Sequence, residues 1–169
     1  MFGGLKMKVI YATNGGSILV DDVDYDYLSQ WSWSVTNGHA MRSQYDATLK
    51  RSPTISMADV VAERAGIFHP DQLDHKNQNG LDNQRHNLRA ATKSQNMMNR
   101  GLQSNNTSGY PGVDFNQAKQ RWRGRVKKDG RVIWQGFFNS AEDAGRKVAE
   151  KRIQFFGEFA NEQAHSRQV

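Results

Sequence analysis

Hydrophobic and polar positions alternate at period two over much of this chain and shift to helical spacing in a few places. Lys8-Val9-Ile10-Tyr11 and Ser17-Ile18-Leu19-Val20 read as strands joined by the turn signal Asn14-Gly15-Gly16. Asp21 to Gln30 is acidic, with Val23, Tyr25, Tyr27 and Leu28, and reads as a short helix. Trp31-Ser32-Trp33-Ser34-Val35 alternates strictly, Thr36-Asn37-Gly38 turns the chain, and His39-Ala40-Met41-Arg42 returns as a partner strand. From Ile55 to Ala65 the residues Met57, Val60, Val61 and Ala65 are spaced for one helical face. After Asp74-His75, residues Asn77 to Asn83 are turn-rich, Asn87-Leu88-Arg89 returns as a short strand, and Thr92-Lys93-Ser94-Gln95 matches a helix capping box.

The segment from Asn99 to Gly109 is polar, small and rich in turn formers, and it divides the chain. Beyond it the pattern is β-β-β-α. Tyr110 to Phe115, Gln120 to Lys127 and Arg131 to Phe138 are the strands, with Lys128-Asp129-Gly130 as a hairpin turn. Ser140-Ala141-Glu142-Asp143 opens a helix that runs to about Phe156 and stops at Gly157. The expected fold class is α+β. The expected organisation is a β-rich first domain over 1–100, a linker over 101–109, a three-stranded antiparallel sheet on one helix over 110–161, and a tail over 162–169.

Composition narrows the chemistry. Cysteine is absent from the 169 residues, which removes disulfides, thiolate zinc sites, iron–sulfur clusters and cysteine nucleophiles, and fits a reducing, cytoplasmic setting. No run approaches the roughly 18 apolar residues of a transmembrane helix, and Met1 to Lys6 carries no secretory pattern. The formal charge of +6 is unevenly spread: residues 1–100 carry 11 basic and 10 acidic side chains, residues 101–169 carry 12 and 7. A basic excess confined to the last part points to nucleic acid or another acidic surface.

The densest chemistry lies between Asp74 and Asn96, where a carboxylate, an imidazole and an amide oxygen fall close in sequence. A hard cation such as Mg²⁺ takes oxygen ligands, few of them from protein, and Asp74 and Asn96 offer two. Neighbouring strand residues point to opposite sides, so Asp74 and His75 are not expected to share one ion. His75, with an ordinary pKa of roughly 6.5, suits a general base acting on water.

Order and spacing add a resemblance. Asp74-His75, Asp82-Asn83, Asn87-Leu88-Arg89, Thr92 and Asn96 together resemble the HNH motif of small phage and bacterial homing endonucleases. The resemblance implies a ββα-metal nuclease fold with its motif over 73–99. It implies His75 as general base, Asn87 as brace of the loop that orients it, and Asp74 and Asn96 as ligands of one Mg²⁺ or Mn²⁺ ion. His86 matches no motif position. Relatives carry His-Arg ahead of the motif where this chain has Ala58-Asp59, which leaves two alternatives: weaker activity, or another residue such as Arg64 or Arg89 in that supporting or phosphate-contacting role.

In the C-terminal part, Trp122, Gly124 and Val126 share one strand face and Arg121, Arg123, Arg125 and Lys127 the other. The apolar face is expected to pack on Ala144, Val148 and Ile153, leaving the basic face open to a DNA groove. Ser108 to Val113, Trp122, Trp134 to Phe138, Ser140 to Ala144 and Phe156 to Asn161 resemble the ERF-type (Apetala-two) DNA-binding domain. That likeness implies Arg123, Arg125 and Lys127 as DNA-facing residues, with Trp134 as a further candidate, and Arg121 joins them from the basic strand face. Asp114 stands where the family carries a basic residue.

The combined expectation is a site-recognising, metal-dependent endonuclease acting on double-stranded DNA in a bacterial or phage-infected cell. It is expected to use no small-molecule cofactor, to bind no membrane, and to nick one strand as a monomer, with a dimer as the route to a double-strand cut. Arg89 joins the expected DNA contacts. The rival reading is a DNA-binding regulator whose nuclease site has decayed, favoured by Ala58-Asp59. An RNA-binding or structural protein is a further reading, though no aromatic stacking motif of the RNA-recognition type is present.

Overall fold

A computed structural model describes residues 6–68, 71–99, 102 and 105–160. The expected tail over 162–169, the closing Asn161 and part of the expected linker lie outside the described residues. The described residues form four α-helices and several small antiparallel sheets, an α+β architecture. It divides into two compact units, Met1–Ala91 and Thr92–Val169.

In the first unit, β1 (Met7–Tyr11) and β2 (Ser17–Asp21) form one hairpin and lead into α1 (Asp22–Leu28). A three-stranded sheet of β3 (Ser34–Thr36), β4 (His39–Ser43) and β5 (Thr54–Ser56) follows, and α2 (Met57–Arg64) leaves β5 directly. The last hairpin pairs β6 (Gln72–His75) with β7 (Leu88–Ala91), after a 3-10 turn at Arg85–Asn87. Ile18, Val20, Leu28, Trp33, Met57 and Val61 are fully buried and form the core, with Leu88 of β7 packed into it. Each such side chain contributes about 1.5–3 kcal/mol by leaving water.

Two departures from the sequence pattern have physical causes. The alternating Trp31 to Val35 segment is a strand only from Ser34. Trp33 turns into the core instead, and its indole donates to the carbonyl of Leu28 at 2.8 Å, tying it to the end of α1. The helix expected from Ile55 starts at Met57, because Thr54–Ser56 pairs with β4. Its buried face is Met57, Ala58, Val61 and Ala62, and Ala65 is the half-buried C-cap.

The second unit opens with α3 (Lys93–Met98), closed by the expected reciprocal cap between Thr92 and Gln95. Ser94 donates to the Asp129 carboxylate at 2.5 Å and Arg152 donates to the Met98 carbonyl. These bonds attach α3 to the second unit, so the division falls between Ala91 and Thr92, ahead of residues 101–109. The described end of that segment is an ordered turn: Asn106 Oδ1 accepts from the Gly109 amide at 2.8 Å, and Ser108 Oγ donates to the Val113 carbonyl at 2.8 Å.

β8 (Val113–Asn116), β9 (Arg121–Lys128) and β10 (Arg131–Phe138) form an antiparallel sheet with β9 central, and α4 (Ala141–Phe156) packs on one face. The β9–β10 turn is Asp129-Gly130 with φ of 51° and 76°, the geometry that makes Asp-Gly a hairpin signal. Ser140 caps α4 by accepting from the Asp143 amide at 3.0 Å, and Gly157 ends it at φ 53°. Gly145 has to be glycine, since a Cβ there would stand 2.3 Å from the Tyr110 ring. Ala144 and Val148 are buried under the sheet as expected. Ile153 is 47% exposed and lies off that face, a correction to the expected packing.

Candidate functional site

The segment between β6 and β7 is built from asparagines that bond one another. Asn87 is buried and uses its whole amide: Oδ1 accepts from the Asn77 amide at 3.0 Å, while Nδ2 donates to Asn77 Oδ1 at 3.0 Å and to the Asp82 carbonyl at 2.7 Å. Its own carbonyl accepts from the Lys76 amide at 2.9 Å. Asn77 donates to the Asp82 carboxylate at 2.7 Å, and Asn77 and Asn79 each close a turn by accepting from an amide two residues on. Sequence supplies the reason: short amides satisfy a turn's backbone groups locally, and this loop has four of them between Asn77 and Asn87.

The loop is also fixed from outside. The Leu19 amide donates to the Leu81 carbonyl and the Asn83 amide donates to the Leu19 carbonyl, both at 2.8 Å, so β2 grips the loop through its backbone. Asp21 accepts from the Arg85 amide at 2.8 Å and from the Gln84 side chain at 3.2 Å. Asp24, fully buried on α1, receives two bonds from Arg85 at 2.7 and 2.8 Å and one from Arg64 of α2 at 2.8 Å. Burial pushes the Asp24 carboxyl up, but the two guanidiniums outweigh it and hold it below its ordinary value.

His75 is buried at the end of β6, its Nε2 at 3.3 Å from Asn83 Oδ1. Since Oδ1 accepts, Nε2 carries the hydrogen in the neutral ring and Nδ1 holds the basic lone pair. Burial lowers the His75 pKa and the His39 ring adds to this; the Asn83 bond and the Asp74 and Asp82 charges oppose it without winning. Asp74 pairs across the hairpin with Arg89 and His75 with Leu88, so the two residues point to opposite sides as alternation requires. Asp74 is buried and bonded to Arg89 Nε at 2.8 Å, with Arg89 Nη2 at 2.7 Å from the same carboxylate. Arg89 was expected on DNA. Its side chain is only 10% exposed and is committed to Asp74. Arg64 is likewise committed, to Asp24 and to the face of Tyr27 at 4.1 Å.

Asn96 is half-buried on α3 in the second unit. His86 is exposed, and its carbonyl accepts from Lys76 Nζ at 2.7 Å. Ala58 is buried in the core and Asp59 is exposed. Among the described residues no group of three or more His, Asp or Glu side chains that could hold a metal comes together.

In the second unit, register assigns the faces. Val113, Gly124 and Val126 lie under α4, and Trp134 pairs across from Val126 on that same side, where it packs into the core. Trp134 was expected to face DNA and instead faces the helix. The open face carries Arg121, Arg123, Arg125 and Lys127 from β9, Asp114 and Asn116 from β8, and Gln135 and Phe137 from β10. Asp114 clamps two of the cations, taking Arg123 Nη2 at 2.6 Å and Arg125 Nη2 at 2.9 Å. Its partial burial raises the carboxyl pKa, and the two arginines more than reverse that. Arg121 and Lys127 are exposed and make no ion pair with another described residue.

Sequence reasoning missed Asp24, Arg85 and His39, and gave Asn83 a place in the motif but no partner. The first two showed no local pattern, because their partner lies 61 residues away. Comparison with protein-family models, with curated proteins and with solved structures finds no match for this chain.

Proposed function

We propose that the chain is a metal-dependent DNA endonuclease of the HNH homing type that hydrolyses a phosphodiester with His75 as general base and binds duplex DNA through the open face of the second unit's sheet. The observation that carries this reading is the asparagine-braced loop that holds a buried, pKa-depressed His75 directly beside Asp74. The chain order β6, β7, α3 is the ββα order that the motif implies. The basic open face supports an ERF-type role for the second unit.

In the proposed reaction His75 Nδ1 takes a proton from water as the water oxygen bonds to phosphorus. The P–O bond to the leaving group breaks, and its electron pair stays on the departing oxygen, which is protonated from solvent. Asn83 holds the His75 ring in the tautomer that leaves Nδ1 basic. Asp74 and Asn96 would hold one Mg²⁺ or Mn²⁺ ion, which when bound supplies charge for the leaving oxygen. Asn96 enters this reading through the sequence motif alone. Arg89 neutralises the Asp74 charge and would have to release the carboxylate for an ion to be held there.

The second reading is a non-cleaving DNA-binding regulator, and the Asp74–Arg89 pair is the observation that favours it, because it neutralises the proposed ligand. A cleavage assay separates the two. Supercoiled plasmid and a genomic library are incubated with wild type and His75→Ala, with Mg²⁺, Mn²⁺ or EDTA. Metal-dependent nicking lost in the variant supports the nuclease. Intact DNA from both substrates, beside a retained duplex gel shift, supports the regulator.

A further inference from the structure

The proposed reaction gives His39 no part. His39 is the exposed first residue of β4, 36 positions ahead of His75, and its ring centroid stands 5.6 Å from that of His75 with planes at 52°. The approach is built into the loop. Gly80 is buried, and a Cβ on it would lie 2.5 Å from both His39 Nδ1 and the Gly38 carbonyl. Any other residue at position 80 would push the imidazole or its strand away from the loop that carries His75.

No described side chain hydrogen-bonds to the His39 ring, so its donor capacity is not spent inside the protein. Two imidazoles that bond different oxygens around one reacting phosphorus stand on the order of 5–7 Å apart, given hydrogen bonds near 2.8 Å. We infer that His39 is a second catalytic histidine, which donates an N–H to a non-bridging oxygen of the phosphate under attack by the water on His75. The proposal rests on the nuclease reading of His75. His39 keeps its proton throughout. The bond it donates strengthens as negative charge gathers on that oxygen, and such an interaction acts on rate more than on binding.

The test uses the full chain under single-turnover conditions, on a duplex fragment cut in the genomic-library assay. The variants are His39→Ala, His39→Gln and His75→Ala, with duplex affinity and thermal midpoint measured for each. Gln retains an N–H donor at similar reach. His39→Ala is expected to slow cleavage by roughly 10²-fold, the scale of one lost oxyanion donor, with duplex affinity within about threefold. His39→Gln is expected to recover most of that loss. Cleavage by His39→Ala within about twofold of wild type overturns the assignment. So does a loss shared equally by Ala and Gln and matched by a lower thermal midpoint, which marks a packing role against Gly80. A wild type that binds duplex but cuts neither plasmid nor library removes the nuclease reading itself, and the His39 assignment with it, a pattern distinct from the other two.

Discussion

Asp114 sets the character of the sheet's open face more than any of its cations does. A single carboxylate holds Arg123 and Arg125 and removes a charge from a surface otherwise lined by basic groups. Asp114→Ala is therefore expected to tighten non-specific duplex binding and to steepen its salt dependence by about 0.9 in log–log slope for each guanidinium that gains a phosphate. Binding titrations at several salt concentrations read this directly, and an unchanged slope would mean the arginines reach DNA with the clamp in place. At this scale the sequence was partly transparent. Asp74, His75 and Asn87 stand out because their order within a short segment is unusual and their bonds are local, as the Asn77, Asp82 and Asn87 knot shows. His39 does not stand out, because it meets His75 from a different sheet, and Asn83 shows in the motif without any sign that its partner is His75.

Between elements, one buried charge cluster joins α1, α2 and the 3-10 turn that presents Asn87. Asp24 is fully buried while the side chains of Arg64 and Arg85 keep 31% and 28% exposure. Removing the carboxylate leaves two half-buried guanidiniums uncompensated, so Asp24→Ala is expected to cost about 3 kcal/mol, the lower end for a broken buried pair because both cations retain some water. Urea denaturation checks the magnitude. The pH dependence has a definite sign. Because the folded-state pKa of Asp24 is depressed, its contribution is complete above the unfolded value of about 3.9 and disappears as pH falls through the lower folded value. Wild type should lose stability in that acid window faster than Asp24→Asn. Periodicity located most elements but not this cluster, since strand and helix periods report which face is apolar and carry no record of which distant charges meet. The same limit explains Trp134 and Ile153. An indole's face is settled by register with Val126, next to an irregularity between Val132 and Trp134, and Ile153 lies off the α4 face that carries Ala144, Val148 and Phe156 into the second core.

For the whole chain, charge is unevenly spread. Residues 101–169 carry the basic excess, and the exposed Arg121 and Lys127 are the open-face cations of β9 left outside the Asp114 clamp. On the proposed function these two neutralise backbone phosphates, while His75 and Asp74 act in the other unit. Phosphate contacts fix a protein on duplex without reading sequence, so their loss should weaken all duplexes alike. The double variant Arg121→Ala, Lys127→Ala is expected to lower the slope of log affinity against log salt by about 2, one for each contact. At saturating protein its single-turnover cleavage rate should match wild type, because no group at His75 has changed. Affinity measured from low to moderate salt, paired with the saturated rate, tests both halves. A preserved slope would place DNA on a surface other than this sheet. A reduced rate at saturation would mean that the sheet does more than deliver DNA and takes part in setting the phosphate against His75.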